Sequence, residues 1–369
     1  MSNHLEQQLK GLWALAVVAL LLLSLLGAFS RLGWPLPAAI APLATQHGAL
    51  MICGFFGTLI GLERWILKRF VLGYVSPFLT ISGSLALFLF SESFAAVCFL
   101  LAAMYQIGAF AWSKQAHHLP TLIQLLGLAV WGGGCLVWAL GRGFTDLSLA
   151  WIGFLSLTIL GSRLDKIQKA NTAMARPSRL EYRILLGSML CFAVGCLLNL
   201  MSQELSYQLC GASFLVSALW YLIFDAAVLP PERQAFLSYF RWGLKLSYGW
   251  LWLTGILLLI WGSALPLLAY DVYLHMILLG FVFGMVFSHL PIMLPELSGL
   301  QFRFHNILFA PLFVLHAGLA IRFGVVVFQQ HAFFPWFGLI NVLALVSLPV
   351  TLMLLRVSKK KSPSVESFN

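Results

Sequence analysis

Apolar residues occur along this chain in long runs that are separated by short polar connections. A run of about 20 apolar residues is the length a helix needs to cross the roughly 30 Å hydrocarbon layer of a bilayer. The pattern therefore predicts an all-α, polytopic membrane protein in which residues 1–369 form a single transmembrane domain. It predicts about twelve transmembrane helices, at residues 11–30, 45–63, 70–90, 94–112, 120–140, 147–163, 184–203, 207–229, 246–264, 268–290, 304–323 and 334–356.

The composition agrees with this class, because 61% of the residues are hydrophobic and only 9% are charged. A water-soluble domain of this size could not bury so large an apolar fraction. All six cysteines lie within predicted helices without a CxxC spacing, so we expect reduced packing residues. Residues 357–369 are polar and are predicted to be a disordered tail.

The net charge of +10 is distributed unevenly between the two sides of the predicted membrane domain. With a cytoplasmic N-terminus, only Arg31, Arg142 and Arg322 of the 22 basic residues lie on the outer side. Basic residues concentrate on the cytoplasmic side of membrane proteins, so both termini are predicted to be cytoplasmic. The charge thus sets the orientation in the bilayer and gives no indication of nucleic-acid binding.

Histidines are the most informative polar residues within the predicted helices. The segment 270–295 carries His275 and His289 fourteen residues apart, which is about 21 Å along a helix. The two rings therefore belong to different depths of the membrane. An ionisable side chain costs a few kcal/mol in hydrocarbon unless it has a partner, so each is a candidate functional residue.

The predicted topology sorts the candidate histidines into two layers. His47, His275 and His316 lie near the outer face, and His289 and His305 lie near the inner face. Imidazole binds haem iron, copper and zinc, so we expect His47 and His275 to be haem or metal ligands. His316 is predicted to be a further ligand or a partner of one, and His289 with His305 a second, inner metal site. A hydrogen bond to a carbonyl or a neighbouring helix is the alternative for each.

Glycines follow both outer histidine positions at the spacing of close helix contacts. Gly54 and Gly57 follow His47, and Gly280 and Gly284 follow His275. A face of small residues admits either a neighbouring helix or a flat macrocycle, and the sequence leaves these two alternatives open.

Other polar residues indicate simpler roles. Arg163 and Asp165 are predicted to form an ion pair at the membrane boundary. Asp225 is the best candidate for proton handling, with a hydrogen bond to a neighbouring helix as the alternative. Residues 236–250 are predicted to form an interfacial helix that leads into the ninth span.

Two segments resemble the histidine-bearing helices of the NnrS family. They are HGALMICGFFGTLIGLERW at 47–65 and LHMILLGFVFGMVFSHLPIMLP at 274–295. NnrS proteins are bacterial membrane proteins that contain haem and copper and are associated with denitrification and nitric oxide stress. The resemblance implies haem and copper contacts at His47, His275 and His289. It also implies a bacterial inner-membrane location and a role in nitric oxide response, metal handling or electron transfer with a redox partner.

The outer histidines are also similar in placement to the low-spin haem ligands of haem-copper oxidase main subunits. A catalytic oxidase or nitric oxide reductase needs further histidines on central helices, and the sixth to eighth predicted helices contain none. The sequence therefore does not predict reductase activity and defines no catalytic residue. Two alternatives remain: a haem-free transporter or channel that uses the histidine layers for proton or metal movement, and a factor that holds a cofactor during assembly.

Overall fold

The computed structural model describes residues 3–66, 71–112, 117–170, 177–262, 267–298, 300–330 and 333–357. In this part of the chain the structure is built from helices and one short antiparallel sheet. The helices are α1 (Asn3–Arg31), α2 (Leu43–Ala49, continued by Leu50–Phe56 and Gly57–Ile66), α3 (Val75–Leu89), α4 (Glu92–Ala111), α5 (Leu119–Ala139), α6 (Ser148–Ala170), α7 (Arg179–Leu198), α8 (Gln203–Phe224), α9 (Leu237–Trp261), α10 (Leu267–His275, continued by Met276–Phe283 and Gly284–Ser298), α11 (Phe309–Val327) and α12 (Phe334–Leu354).

Eleven helices among the described residues are long and apolar enough to cross a membrane. The remaining helix, α3, has 15 residues and is also apolar. The predicted all-α class is therefore confirmed, and the protein is a multi-pass helical membrane protein. Short 3₁₀ turns lie in the connections, at Ala38–Ile40, Val71–Tyr74, Phe144–Leu147, Pro231–Phe236 and Asn306–Leu308.

Helices that follow one another in the chain pack side by side through most of the bundle, as short connections require. Small residues bring some of these pairs close together. At the α8–α9 contact, a Cβ added to Gly211 would lie 2.9 Å from the carbonyl oxygen of Gly255. Such close backbone approach is the usual basis of helix association in membranes.

Several helix ends differ from the sequence prediction. The predicted interfacial helix at 236–250 is not a separate element, because α9 runs without a break from Leu237 to Trp261. Helix α8 ends at Phe224, and Asp225 leaves the helix in an extended conformation. Helix α10 continues through Pro291 and Pro295 to Ser298. The strands β1 (Gln301–Phe302) and β2 (Arg356–Val357) then pair antiparallel. The predicted disordered tail lies, from residue 358, outside the described residues.

Helices α2 and α10 each contain a π-helical segment in their middle. The segments are Leu50–Phe56 and Met276–Phe283, and they begin three residues after His47 and directly after His275. They meet in the core, where the ring of Phe283 stacks on Phe55 at 6.1 Å and packs edge-on against Phe56 at 5.0 Å. Because π-helical turns are rare and frequently occur at functional sites, α2 and α10 are the candidate location of a functional site.

Candidate functional site

His47 is held against helix α1 by a backbone hydrogen bond. Its Nδ1 lies 2.7 Å from the carbonyl oxygen of Ser24. A carbonyl oxygen can only accept, so Nδ1 carries the proton and the Nε2 lone pair points elsewhere. The close approach depends on Gly27 of α1, since a Cβ there would overlap the carbonyl oxygen of Leu43 and lie 3.1 Å from the His47 Cβ.

His275 is fixed in the same way within its own helix. Its Nδ1 lies 2.7 Å from the carbonyl oxygen of Asp271 and 3.3 Å from the Asp271 carboxylate. The other carboxylate oxygen of Asp271 accepts a hydrogen bond from Arg322 Nη2 of α11 at 2.5 Å. Arg322, which the sequence analysis assigned only to the outer side, is 4% exposed. It is the buried partner of Asp271.

His47 and His275 stand at matching places in α2 and α10, because each lies eight residues before one ring of the stacked pair Phe55 and Phe283. Within the described part of the chain, neither imidazole has a hydrogen-bond partner at Nε2. Metal-binding histidines normally donate their second ring N–H to a carbonyl or a carboxylate, which fixes the tautomer and orients the ring. Both residues therefore have the hydrogen-bond arrangement of metal-binding histidines, with Nδ1 donating to a carbonyl oxygen and Nε2 without a protein partner. We call His47, Asp271, His275 and Arg322 the α10 start cluster.

His316 has the opposite hydrogen-bond arrangement. Trp250 of α9 donates its indole N–H to His316 Nδ1 at 2.9 Å. Nδ1 is then the acceptor and Nε2 carries the hydrogen of the neutral ring. Nε2 is buried and has no hydrogen-bond partner among the described residues. Of the two roles that the sequence left open, this geometry favours a supporting residue over a ligand.

The glycines after the two histidines are occupied by neighbouring helices. A Cβ at Gly280 would collide with the Trp250 ring, and one at Gly284 would meet Ser247 and lie 3.1 Å from His316 Cε1. Gly57 in α2 faces Thr80 in the same way. Ordinary helix packing thus accounts for these positions, which removes the support they gave to a macrocycle on the same faces.

A second cluster lies near the other end of α10. Arg163 of α6 makes a bidentate ion pair with Asp225, at 2.6 Å from Nη2 to Oδ1 and 3.0 Å from Nε to Oδ2. Tyr248 Oη donates to Asp225 at 2.7 Å, and the backbone N–H of Ala227 donates at 3.1 Å. The predicted pair between Arg163 and Asp165 is wrong, because Asp165 points outward.

His289 belongs to this second cluster. Its Nδ1 lies 2.7 Å from the carbonyl oxygen of Met285, and its Nε2 lies 3.3 Å from Arg163 Nη1. Phe240 contacts both groups, edge-on to the His289 ring at 4.9 Å and with its face 5.2 Å from the Arg163 guanidinium. Both ring nitrogens of His289 are therefore engaged by protein groups. We call Arg163, Asp225, Tyr248 and His289 the α10 end cluster.

His305, the second residue of the predicted inner site, lies in a different environment. It is exposed and begins the short turn Asn306–Leu308, where its Nδ1 accepts the backbone N–H of Ile307 at 3.1 Å. No group of three or more histidine, cysteine or carboxylate side chains converges into a metal-binding set in the described part of the chain. A metal could bind His289 Nε2 only if Arg163 Nη1 broke its contact with that nitrogen.

Sequence reasoning missed Asp271 and both buried ion pairs. Asp225 and Arg163 are 62 positions apart, and Arg322 and Asp271 are 51 positions apart, so no local pattern connects them. One signal was available for Asp271. It lies four residues before His275, at the spacing that places two side chains on one face of a helix.

These observations define a class: a multi-pass helical membrane protein whose helix α10 has, near each end, a histidine and an ion pair with a buried arginine. Residues 10–357 match the family described as "Domain of unknown function (DUF8744)", and the chain belongs to that family. Comparisons with curated proteins and with solved structures found no match.

Proposed function

We propose that this protein binds haem through His47 and His275 in the inner membrane of a bacterium, with both termini in the cytoplasm. Its role would be of the NnrS-like type, in nitric oxide and denitrification-related stress, metal handling or electron transfer, with copper as a second candidate cofactor. The haem would supply a redox-active iron. The protein would supply two imidazoles, one from helix α2 and one from helix α10.

The observation that carries this proposal is the shared protonation state of the two imidazoles. In both, a backbone carbonyl at 2.7 Å holds the proton on Nδ1 and leaves Nε2 able to bind a metal. The two rings share this protonation state although the carbonyl that contacts His47 belongs to α1 and the one that contacts His275 belongs to α10 itself. A histidine that only satisfied its own hydrogen bonds would gain from a partner at Nε2 as well, as His289 does.

The Asp271–Arg322 pair supports the same site. Asp271 lies beside the Nδ1–H of His275, and a carboxylate in this position orients a ligand ring and raises its basicity. Arg322 in turn fixes the carboxylate and balances its charge in an apolar surrounding. The ring of His275 is therefore held in one orientation, and Arg322 balances the charge of Asp271.

The proposal is tested by oxidised and dithionite-reduced absorption spectra of the purified protein, with iron analysis of the same sample. We expect a Soret band that shifts on reduction and about one haem iron per chain, as two axial ligands require. His275→Ala should remove most of this signal at an unchanged membrane level. His118→Ala, which changes an exposed histidine before α5, should retain it. A full spectrum in His275→Ala, or a featureless one from haem-supplied cells, would contradict the assignment.

A haem-free transporter or channel is the second candidate, and one observation favours it. Each end of α10 carries a histidine beside an ion pair whose arginine is buried, and such residues within membrane helices commonly mark ion or proton pathways. Proton or zinc uptake into proteoliposomes distinguishes the two functions. Transport would be favoured if protein without a haem spectrum takes up protons or zinc and if Asp271→Asn and Asp225→Asn each abolish this uptake.

A further inference from the structure

A cavity of about 390 Å³ lies between the last turn of α8 and the first half of α9. Pockets that bind small ligands span roughly 300–1,000 Å³, so this one is large enough for a ligand group. One side is apolar and open to the surroundings of the protein, because Leu222 is 39% and Ile223 is 66% exposed. The opposite side, from α9, carries charge.

The charge on the α9 side is positive. Arg241 and Lys245 lie one turn apart, both line the cavity and both are exposed. Within the described chain, neither side chain is paired with a carboxylate. The acidic residue of the wall, Asp225, does not offset them, because Arg163, Tyr248 and the Ala227 backbone N–H already engage both of its oxygens.

We propose that this cavity binds the phosphate headgroup of an anionic phospholipid. Arg241 and Lys245 supply two cations to the phosphate, and Leu222 with Ile223 offers an apolar surface along which an acyl chain can lie. An exposed apolar wall is of no use to a soluble phosphate, which favours the lipid as occupant. The cavity also lies on the side that the basic loops predict to be cytoplasmic, where anionic lipids attract clustered basic residues.

The test uses delipidated full-length protein in detergent and measures lipid binding by native mass spectrometry. Phosphatidylglycerol is the probe, phosphatidylcholine is the zwitterionic control, and inorganic phosphate represents the soluble anion. Each basic residue near an anionic lipid contributes a factor of about five. The double variant Arg241→Gln/Lys245→Gln should therefore bind phosphatidylglycerol about 25-fold more weakly than the wild type.

The matched control is Arg179→Gln/Arg183→Gln. It removes two exposed basic residues at the same four-residue spacing from α7, outside the cavity lining. We expect it to retain wild-type binding. If the double variant is recovered poorly, the single variants Arg241→Gln and Lys245→Gln should each show a loss of about fivefold.

Three results would overturn the proposal. They are equal loss of phosphatidylglycerol in the α7 control, equal affinity for phosphatidylcholine, and binding of inorganic phosphate with the same affinity as the lipid. Equal loss in the α7 control would mean that the weaker binding reflects net charge alone. Equal affinity for phosphatidylcholine would mean that the anionic headgroup plays no role. Equal binding of inorganic phosphate would mean that the cavity binds a soluble anion. The haem spectrum of the double variant should equal that of the wild type, so this proposal and the haem proposal fail independently.

Discussion

At the scale of single residues, the hydrogen-bond partner of each histidine determines what that histidine can do. His47 and His275 donate from Nδ1 to carbonyl oxygens, whereas His316 accepts at Nδ1 from the Trp250 indole. The sequence predicted that all three lie in membrane-spanning helices near the outer face. It could not distinguish a ligand from a supporting residue, because the tautomers of His47 and His316 depend on hydrogen-bond partners that lie on other helices.

The difference between these histidines gives a prediction for His316→Gln. If His316 is a supporting residue, the variant should keep most of the haem spectrum, because His47 and His275 still present Nε2. A glutamine side-chain oxygen can accept the Trp250 N–H, so packing around the indole is expected to survive. The measurement compares the absorption spectra of His316→Gln with those of His275→Ala. Equal loss in both variants, at equal membrane levels, would show that His316 is itself a ligand.

The buried ion pair of the α10 end cluster gives a second residue-scale prediction. Asp225→Asn leaves Arg163 buried without a countercharge, and breaking a buried pair from one side costs about 3–5 kcal/mol. Asp165→Asn is the matched control, since that carboxylate pairs with Lys169 at the surface and such pairs contribute about 0–1 kcal/mol. The exposed side-chain fractions are 2% for Asp225 and 37% for Asp165.

The measurement for this pair is thermal unfolding of both variants in one detergent. The Asp225→Asn protein should unfold at a clearly lower temperature than the wild type, while the Asp165→Asn protein should be nearly unchanged. Equal stability of the two variants would mean that water or lipid headgroups compensate Arg163 in the folded state.

At the scale of helices, the hydrophobic pattern was sufficient to locate the helices that carry His47, His275, His289 and His316, but it placed His305 within a helix that begins only at Phe309. It gave the helix type and approximate limits because apolar runs of this length have one stable form in a bilayer. The π-helical turns of α2 and α10 were not predictable, since Gly54 and Gly280 are equally compatible with an ordinary α-helix. The interfacial helix at 236–250 was mispredicted because Arg241 and Lys245 interrupt the apolar run without interrupting the helix.

Helix contact also predicts the effect of Gly27→Ala. The added Cβ would meet the backbone of α2 at Leu43 and the Cβ of His47, so α1 and α2 must separate. Such overpacking typically costs about 1–3 kcal/mol and would draw the Ser24 carbonyl away from His47. We expect lower thermal stability and a weaker haem spectrum. Gly187→Ala is the control, because nothing lies within 4 Å of a Cβ there. Unchanged spectra and stability in both variants would contradict the proposed support of His47 by α1.

At the scale of the whole molecule, the position of α3 decides the orientation of everything after it. Its 15 residues measure about 22 Å, which is less than the roughly 30 Å hydrocarbon layer. The preceding 3₁₀ turn Val71–Tyr74 adds about 8 Å at 2.0 Å per residue. Together the two reach the required length, so we expect residues 71–89 to cross the membrane. Twelve crossings then return the C-terminus to the side of the N-terminus.

Labelling of single introduced cysteines with a membrane-impermeant maleimide tests this topology. The wild-type chain is the background, since its six cysteines all lie within helices. Cysteines at Phe90 and Arg142 should react in intact cells, and one at Ser178 should react only after permeabilisation. If α3 does not cross, Phe90 and Arg142 become inaccessible and Ser178 becomes accessible, because every later helix is inverted. That result would also place Arg241 and Lys245 on the outer side. It would place His275 on the inner side while His47, which precedes α3, stays on the outer side, so it would contradict both proposed sites.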